Sequence, residues 1–448
     1  MAYRHHTCTR DTITSKSFFQ SSDEVVLRLM LDQFAPELER LKRATSIPNK
    51  LAIKPTTPSP SQILYGDDYD EVNRTLVGIL SLRWLHNRDY ETFVGSQEES
   101  VKLSKASFEW LCELFKGGIT SDANLDYLVT SMIINDLGKD PQLAKDYEAK
   151  TGKDIAGSNH DMILYKAAVS GLVKCLDRLC NAEQEELVRS LKLGAEFNIG
   201  QLAQAENVPA SLDGLLDIER YDRIFEFRFM EQILDLSGAA GHTDWTCAKK
   251  TNEPIFQAYQ RVYEYVDDVI YRRLPVEVAY NFILKHRAEL VHGVGFRKLD
   301  VRDVHDRALT RLLCMGGVVD LTTANLYSKA WLAIDKNIRE DLVEKLNLDG
   351  KHGRPAVQAT YFPALLSKAL DSARPRTDEG RVETLQSCLR YLRRVLQIDE
   401  LIEDDAVLVV ERDLLRVVND VDYTVPNILD SADVPEWKVA KLSKFRFR

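Results

Sequence analysis

The feature that most constrains the fold is a helical spacing of apolar residues that recurs along most of the chain. Within the segment Asp70–His86, the apolar residues Val72, Leu76 and Ile79 are separated by four and three positions, which places them on one face of a helix. The same kind of pattern predicts further helices at Asp23–Arg43, Leu103–Phe115, Leu125–Ile134, Asn159–Leu179, Glu183–Leu193, Ile218–Leu236, Glu253–Arg272, Pro275–Glu289, Leu321–Ile338, Val357–Asp371, Glu379–Leu396 and Asp404–Asn419. We therefore expect an all-α fold with at most a few short strands.

Strand-like alternation is scarce, and one segment stands out as a connector. The two short strand candidates are Val294–Leu299 and Ala406–Val410. Residues 53–61 contain three prolines within six positions, which excludes a helix there. The sequence thus predicts an N-terminal helix and Pro-rich connector over residues 1–62, followed by a single large helical domain over residues 63–448.

Composition and charge restrict the class of protein. The chain has 448 residues and a net charge of −10, which argues against a protein that coats nucleic acid. Its seven cysteines are scattered without the spacing of a disulfide framework or a zinc site, as is typical of a reducing compartment. No segment approaches 18 uncharged apolar residues, so we expect no membrane span and a cytoplasmic protein.

The polar run Asn135–Asp140 directly follows the apolar Met132–Ile134. It resembles the HD superfamily of metal-dependent phosphohydrolases and oxygenases, in which an apolar helix ends in a His-Asp pair that often precedes Ile/Leu-Gly-Lys. The resemblance implies an HD-like helical core. Asn135 stands where the family has a metal-binding histidine, and a carboxamide is a poor ligand for a transition metal. We therefore expect no cofactor, with a divalent metal only if the chain is an HD-like phosphohydrolase or oxygenase.

The HD resemblance also suggests other positions for its ligands, and the run has a simpler alternative. The further candidates, in the family's order, are His86, His160, His242 and either Asp267 or Asp268. In the simpler alternative the run only ends a helix. Asp136 would then cap the next turn, Gly138 would adopt a left-handed conformation, and Lys139 would offset the helix dipole.

The densest acidic cluster with aromatic neighbours is Tyr65–Glu71, which follows the connector. Asp68 and Glu71 are three positions apart and would share one face of a helix. Two carboxylates so placed can grip a guanidinium in bidentate fashion. The alternative is that Asp67 or Asp68 caps the helix that follows.

In its length, its Asp67-Asp68-x-x-Glu71 motif and the segment around residues 134–140, the chain resembles the fungal arginine-containing cyclodipeptide synthases. The resemblance implies a secondary-metabolism enzyme that condenses arginine and a second amino acid into a diketopiperazine. Both amino acids would arrive as aminoacyl-tRNAs, one of them arginyl-tRNA. The expected substrate-binding residues are Asp67, Asp68, Glu71, Asn135 and Lys139. Those expected to act in catalysis are His86, His160 and Asp136. Those expected to contact tRNA phosphates are Arg272, Arg273, Arg390, Arg393, Arg394, Lys441 and Lys444.

Overall fold

The computed structural model describes residues 13–44, 54–218, 223–351, 354–373, 376–398 and 406–444. Within these ranges it contains twenty α-helices and one three-stranded sheet, which confirms the expected predominance of helix. The chain divides into two compact units. Unit 1 comprises Met1–Ala195 and Tyr221–Gln257, and unit 2 comprises Glu196–Arg220 and Ala258–Arg448. The domain division proposed at residue 62 stays a prediction.

Unit 1 is built from helices. They are α1 (Ser15–Gln20), α2 (Asp23–Leu41), α3 (Pro60–Tyr65), α4 (Asp70–His86), α5 (Tyr90–Val94), α6 (Lys105–Gly118), α7 (Asp122–Ile134), α8 (Pro141–Thr151), α9 (His160–Val169), α10 (Asn181–Glu196) and α12 (Ile224–Gly238). Short 3-10 helices lie at Leu137–Lys139 and Lys174–Arg178. Helix α2 is kinked at Phe34, two residues before Pro36, because a proline ring disrupts the preceding turn.

The core of unit 1 is organised around α4 and α12. Helix α4 is buried on nearly all sides from Glu71 to Leu85, so it forms the centre of the unit. Two glycines let the helices approach closely. A Cβ atom on Gly78 would lie 2.8 Å from the carbonyl oxygen of Leu234, and one on Gly238 would overlap the carbonyl oxygen of Arg74. Only residues without a side chain allow this contact.

Unit 2 combines helices with a small mixed sheet. Its helices are α11 (Ile199–Ala203), α13 (Glu253–Ile270, which begins in unit 1), α14 (Val276–Gly293), α15 (Val304–Met315), α16 (Leu321–Ala333), α17 (Lys336–Leu346), α18 (Phe362–Ser372), α19 (Asp378–Val395) and α20 (Leu415–Asp420). Its strands are β1 (Ala356–Thr360), β2 (Ala406–Asp413) and β3 (Lys438–Lys444). Further 3-10 helices lie at Pro209–Asp217 and Ile428–Asp430. Strand β2 is central, parallel to β1 and antiparallel to β3.

Several local predictions are corrected. Val294–Leu299 is not a strand, because α14 ends at Gly293 and a turn follows. The first part of the helix predicted at Val357–Asp371 is strand β1, and α18 begins only at Phe362. The strand candidate Ala406–Val410 is confirmed within β2, so the helix predicted at 404–419 is wrong there, while residue 404 lies outside the described residues.

No helix in the described part of the chain is long and apolar enough to cross a membrane. The cysteines that the structure describes are free thiols, namely Cys112, Cys175, Cys180, Cys247, Cys314 and Cys388.

Candidate functional site

The run Asn135–Asp140 lies where several helices of unit 1 meet. Asn135 ends α7, residues 137–139 form a 3-10 turn, and the side chain of Asp140 caps α8. Gly138 does not have a positive φ, so the left-handed interpretation is wrong. Its hydrogen faces the backbone of His160 instead, and a Cβ there would overlap the His160 carbonyl oxygen. Glycine is needed for close approach rather than for an unusual backbone angle.

Asp140 anchors this junction. Its buried carboxylate accepts hydrogen bonds from Arg43 Nη2 at 2.7 Å and from Arg40 Nη1 at 3.1 Å. It also accepts from the backbone N–H of Gln142 at 3.0 Å. Arg40 bonds Asp146 on α8 as well, at 2.5 Å. These charge-assisted bonds connect α2 to the start of α8 and hold the neighbouring 3-10 turn in place.

Beside this anchor, Glu71, Arg74, Asp136 and Lys139 form a compact charged group. Arg74 Nη1 lies 2.6 Å from Glu71 Oε1. Lys139 Nζ lies 2.8 Å from Asp136 Oδ1 and 3.3 Å from Glu71 Oε1. Glu71 is fully buried, and its carboxyl also hydrogen-bonds that of Asp136. Glu71 of the acidic motif and Asn135 of the polar run are 64 positions apart in the sequence. The two segments nevertheless meet in this charged group.

This environment separates the two acidic pKa values. Burial, followed by the charge of Asp136, raises the pKa of Glu71 to about 7, although Lys139 and Arg74 oppose the shift. Burial would also raise the pKa of Asp136, but Lys139, Arg74 and the bond from Glu71 outweigh it and hold that pKa well below its usual range. The pair therefore takes up its first proton near neutral pH, and that proton is located mainly on Glu71.

Helix α12 contributes a second charged group. Arg228, Glu231 and Asp235 are spaced by three and four positions and share a face of the helix. Arg228 Nη1 lies 2.6 Å from Glu231 Oε2, and Arg228 Nη2 lies 3.8 Å from Asp161 Oδ1 at the start of α9. A Cβ on Gly194 would come within 2.5 Å of the Arg228 guanidinium, so α10 closes over it.

The carboxyls of this second group resist ionisation. Burial raises the pKa of Glu231 to about 8, against the opposing charge of Arg228. Its Oε1 atom is buried and has no hydrogen-bond partner among the described residues. Burial and the charge of Asp136 raise the pKa of Asp235. Since Asp136 acts on both Glu231 and Asp235, the two groups form one electrostatic unit.

We call this unit the charged cluster. Its members are Glu71, Arg74, Asp136, Lys139, His160, Asp161, Arg228, Glu231 and Asp235. Among these described residues, five are acidic and three carry a permanent positive charge. Glu71 and Glu231 are fully enclosed, whereas the side chains of Lys139, Asp161 and His160 are 18%, 15% and 30% exposed. The cluster is therefore only partly buried, and it reaches solvent at these three side chains and at Arg74 and Asp235, which are also partly exposed.

The cluster does not fit the metal that the HD resemblance implies. In the part of the chain that the structure describes, no three His, Cys, Asp or Glu side chains are placed to hold a metal ion. The ammonium of Lys139 instead contacts the two carboxyls of Asp136 and Glu71. With Asn135 in place of a histidine, the donor set matches an internally neutralised acid pair better than a metal centre.

The predicted histidines fall in different places. His160 lies at the edge of the cluster, its Nε2 3.7 Å from Asp161. His86 is exposed and stacks on Phe19 with ring centroids 3.5 Å apart. It lies 15 positions after Glu71 on α4, a distance of roughly 22 Å along the axis, so the structure does not bring it to the cluster. His242 is partly buried, and neither ring nitrogen has a hydrogen-bond partner among the described residues. Burial, together with the charge of Arg74, lowers its pKa.

The first two acids of the acidic motif are separated from Glu71. Helix α4 begins at Asp70 with Tyr69 at its N-cap, so neither Asp67 nor Asp68 caps it. Asp68 instead accepts from Ser59 Oγ at 2.6 Å and lies 3.2 Å from Lys54 Nζ. Burial acts to raise the pKa of Asp68, but these bonds outweigh it and lower that pKa. Asp68 therefore fastens the Pro-rich connector.

The arginines proposed for tRNA lie in unit 2 and bond to the chain itself. Arg272 donates to backbone carbonyls at Val269 and Ile270, Arg273 pairs with Asp267 and Asp268, Arg390 with Asp430, Arg393 with Asp341, and Arg394 donates to the carbonyls of Leu429 and Ala432. Asp267 and Asp268, the late aspartates of the HD pattern, are thus partners of Arg273. Lys441 and Lys444 belong to β3, and their side chains lie outside the described part.

Sequence analysis missed Arg228, Glu231 and Asp235. Their signal is present in the printed sequence, because they are three of the four charged residues in the mainly apolar stretch of residues 224–238 and stand at helical spacing. A charged stripe in an apolar helix predicts either a solvent-facing side or a buried polar site. Because the residues around it are buried, this stripe forms a buried polar site.

The chain matches a known protein family. A family described as "Family of unknown function (DUF6829)" matches residues 27–425, which is most of the chain. No curated protein and no solved structure matches.

Proposed function

Since the chain belongs to the DUF6829 family, whose function is unknown, we propose its activity from its own residues: it condenses two aminoacyl groups carried on tRNA, one of them arginyl, into a diketopiperazine. The Asp67-Asp68-x-x-Glu71 resemblance supports this. The observation that carries the proposal is the excess of acidic groups over cations in the charged cluster, in which Glu71, Asp136 and Glu231 are buried.

An excess of carboxyls over cations, several of them buried, favours a cationic ligand. A buried carboxylate without a cation costs several kcal/mol, so it takes up a proton instead. The raised pKa values of Glu71, Glu231 and Asp235 are the expected consequence. A guanidinium would replace those protons with a permanent charge and can bond carboxylates through two parallel N–H groups. The side chain of arginine supplies that group.

The partly exposed edge of the cluster suggests how such a ligand would enter. An arginyl side chain passing His160 and Asp161 would meet the fully buried Glu231, with the partly exposed Asp235 one turn further along α12. The unpartnered Oε1 of Glu231 offers an acceptor for one of its N–H groups. We therefore assign Glu231 and Asp235 to recognition of the guanidinium.

The proposed reaction has two aminolysis steps. The amine of one aminoacyl-tRNA attacks the ester carbonyl of the other, so an amide bond forms, the ester bond breaks and one tRNA leaves with its ribose hydroxyl restored. The free amine of the dipeptidyl group then attacks the remaining ester, which closes the ring and releases the second tRNA. In each step the amine loses a proton and the departing ribose oxygen gains one. No ATP is needed, because both esters are already activated.

The acid pair of Glu71 and Asp136 suits this proton transfer. A group with a pKa of about 7 can accept a proton from the attacking amine and return it to the ribose oxygen at neutral pH. Lys139 keeps Asp136 ionised and is itself 18% exposed, so it can also face the negative charge that develops on the ester oxygen. His160, at the edge of the cluster, is a second candidate base, and the geometry favours it over His86.

The test is product formation in a host that supplies charged tRNAs. We expect extracts of bacteria expressing the chain to contain arginine-containing diketopiperazines detectable by mass spectrometry. Glu231→Gln and Asp235→Asn should reduce this product at least tenfold. The matched surface substitutions Glu24→Gln and Asp32→Asn in α2 should leave it unchanged.

A defined assay separates the chemistry from the host. Purified protein with arginyl-tRNA and a mixture of other aminoacyl-tRNAs should form product without ATP. Soluble, folded protein that forms no arginine-containing diketopiperazine in either assay would refute the proposal.

A further inference from the structure

A second polar site lies in unit 2, at the carboxyl ends of its two parallel strands. Gln358 of β1 pairs in register with Glu411 of β2, and Thr360 with Asp413. Side chains alternate across a strand, so Gln358, Thr360 and Glu411 share the face that begins with the buried Ala356 and Val409. Ligands of sheets with parallel strands bind preferentially at this end.

The side chains on this face form a connected hydrogen-bond network. Asn207 Nδ2 donates to Gln358 Oε1 at 2.8 Å. Gln358 Nε2 lies 3.1 Å from Gln201 Oε1 and 3.2 Å from Thr360 Oγ1. Thr360 Oγ1 donates to Glu411 Oε1 at 2.5 Å. The donors of Asn207, Gln358 and Thr360 are therefore all used within this network.

One oxygen in this network is left over. Asn207 is 1% exposed and its amide nitrogen is bonded within the network, but its Oδ1 has no hydrogen-bond partner in the part of the chain that the structure describes. A buried acceptor without a partner is costly, and such atoms in native proteins call for an explanation. Because the same carboxamide bonds Gln358, the unpartnered oxygen belongs to this site.

Glu206, next to Asn207 in the chain, brings a carboxylate that is 4% exposed. Its Oε1 accepts from the backbone N–H of Tyr361 at 2.6 Å. The adjacent cation, Arg311, directs its hydrogen bonds to backbone carbonyls, including those of Ala205 and Asn207, rather than to this carboxylate. Among the described residues, no cation pairs with Glu206, so its buried carboxyl is available to a bound cation.

We propose that this site binds a calcium ion through oxygens alone, with Asn207 Oδ1, Glu206 and Glu411 as its first ligands. Calcium accepts carboxylate, carboxamide and backbone oxygens in irregular arrangements, whereas magnesium requires near-octahedral geometry and retains water. Two carboxylates match its charge. The carboxamide and nearby hydroxyl or backbone oxygens would supply the other ligands. The proposal is independent of the activity assigned to unit 1.

The test compares the full-length protein with calcium and with chelator. After removal of metals by EDTA, titration with CaCl₂ should show one site by calorimetry and raise the thermal unfolding midpoint, and MgCl₂ should bind at least tenfold more weakly. The readout in every variant is the difference between calcium and EDTA, so a general loss of stability does not imitate a loss of binding.

Asn207→Ala and the isosteric Glu206→Gln should each weaken calcium binding at least tenfold and remove the calcium-dependent shift. The exposed substitutions Asn337→Ala and Glu383→Gln, also in unit 2, should retain it. A wild-type protein that binds no calcium, or a shift that survives both Asn207→Ala and Glu206→Gln, would overturn the proposal.

Discussion

Lys139→Met tests whether the charged cluster is held together as described. The ammonium of Lys139 contacts Asp136 at 2.8 Å and Glu71 at 3.3 Å, and only 18% of its side chain is exposed. Removing one partner of a buried ion pair leaves an uncompensated charge and costs about 3–5 kcal/mol. We expect a loss of that size in the free energy of unfolding, measured by urea denaturation at pH 7.

The matched control is Lys116→Met. Lys116 lies 3.9 Å from Glu113, and its side chain is 74% exposed, so solvent screens the pair. Surface pairs of this kind contribute about 0–1 kcal/mol. The control should therefore change the free energy of unfolding by less than about 1 kcal/mol.

The pH dependence of Lys139→Met gives a second measure. Lys139 helps to hold the folded-state pKa of Asp136 below its unfolded value, which stabilises the protein above the unfolded pKa and is lost as pH falls through the folded pKa. Removing Lys139 raises the folded-state pKa, so this contribution shrinks. The deficit should be largest near neutral pH and should decrease only as the pH falls below the variant's folded-state pKa of Asp136, towards the depressed folded-state pKa of the wild type. A deficit below about 1 kcal/mol at pH 7 would refute the reasoning, given the size expected for a buried pair.

Two further substitutions probe packing and protonation. Gly138→Ala should destabilise the protein by about 1–3 kcal/mol in thermal or urea unfolding, because its Cβ would overlap the His160 carbonyl; Gly117→Ala, with open space around its Cβ in α6, should be neutral or stabilising by about 0.5–1 kcal/mol. For Glu231→Gln, the wild-type carboxyl has a folded-state pKa of about 8, well above its unfolded value, so ionisation destabilises the wild type progressively between about pH 4.5 and 8. The stability of the variant relative to wild type should therefore rise across that pH range, and a difference that does not change with pH would show that Glu231 is not held neutral.

Much of the helical architecture could be predicted from apolar spacing. The limits predicted for α4, Asp70–His86, are those observed, because its pattern is long and ends in polar residues. Strand β1 was missed because all five of its residues are buried, and a short, fully buried run lacks the alternation that distinguishes a strand from a helix. Parallel pairing with β2, about fifty positions away, decides between them, and local sequence does not contain that information.

The site was predictable in part for a similar reason. Asp136, Lys139 and Glu71 stand out because each lies in a polar segment next to an apolar one. Their meeting depends on how α4 packs beside the turn after α7, and the acidic motif alone suggested Asp67 and Asp68 as partners of Glu71 instead. Arg228 and Glu231 were hidden within an apolar helix, where a charged stripe is more often solvent-facing.

The glycine contact between α4 and α12 has a consequence for how tolerant unit 1 is of change. Gly78 and Gly238 bring the two backbones together next to Arg74. Helix α4 contains Glu71, and helix α12 contains Arg228 and Glu231. Helices fixed at such a point cannot spread apart to readmit water when one charge is removed. The charged cluster is therefore preorganised, and an ion or a ligand group that binds there contacts charged side chains that are already oriented. Substitutions that loosen the glycine contact should alter the acidity of Glu71 without touching it.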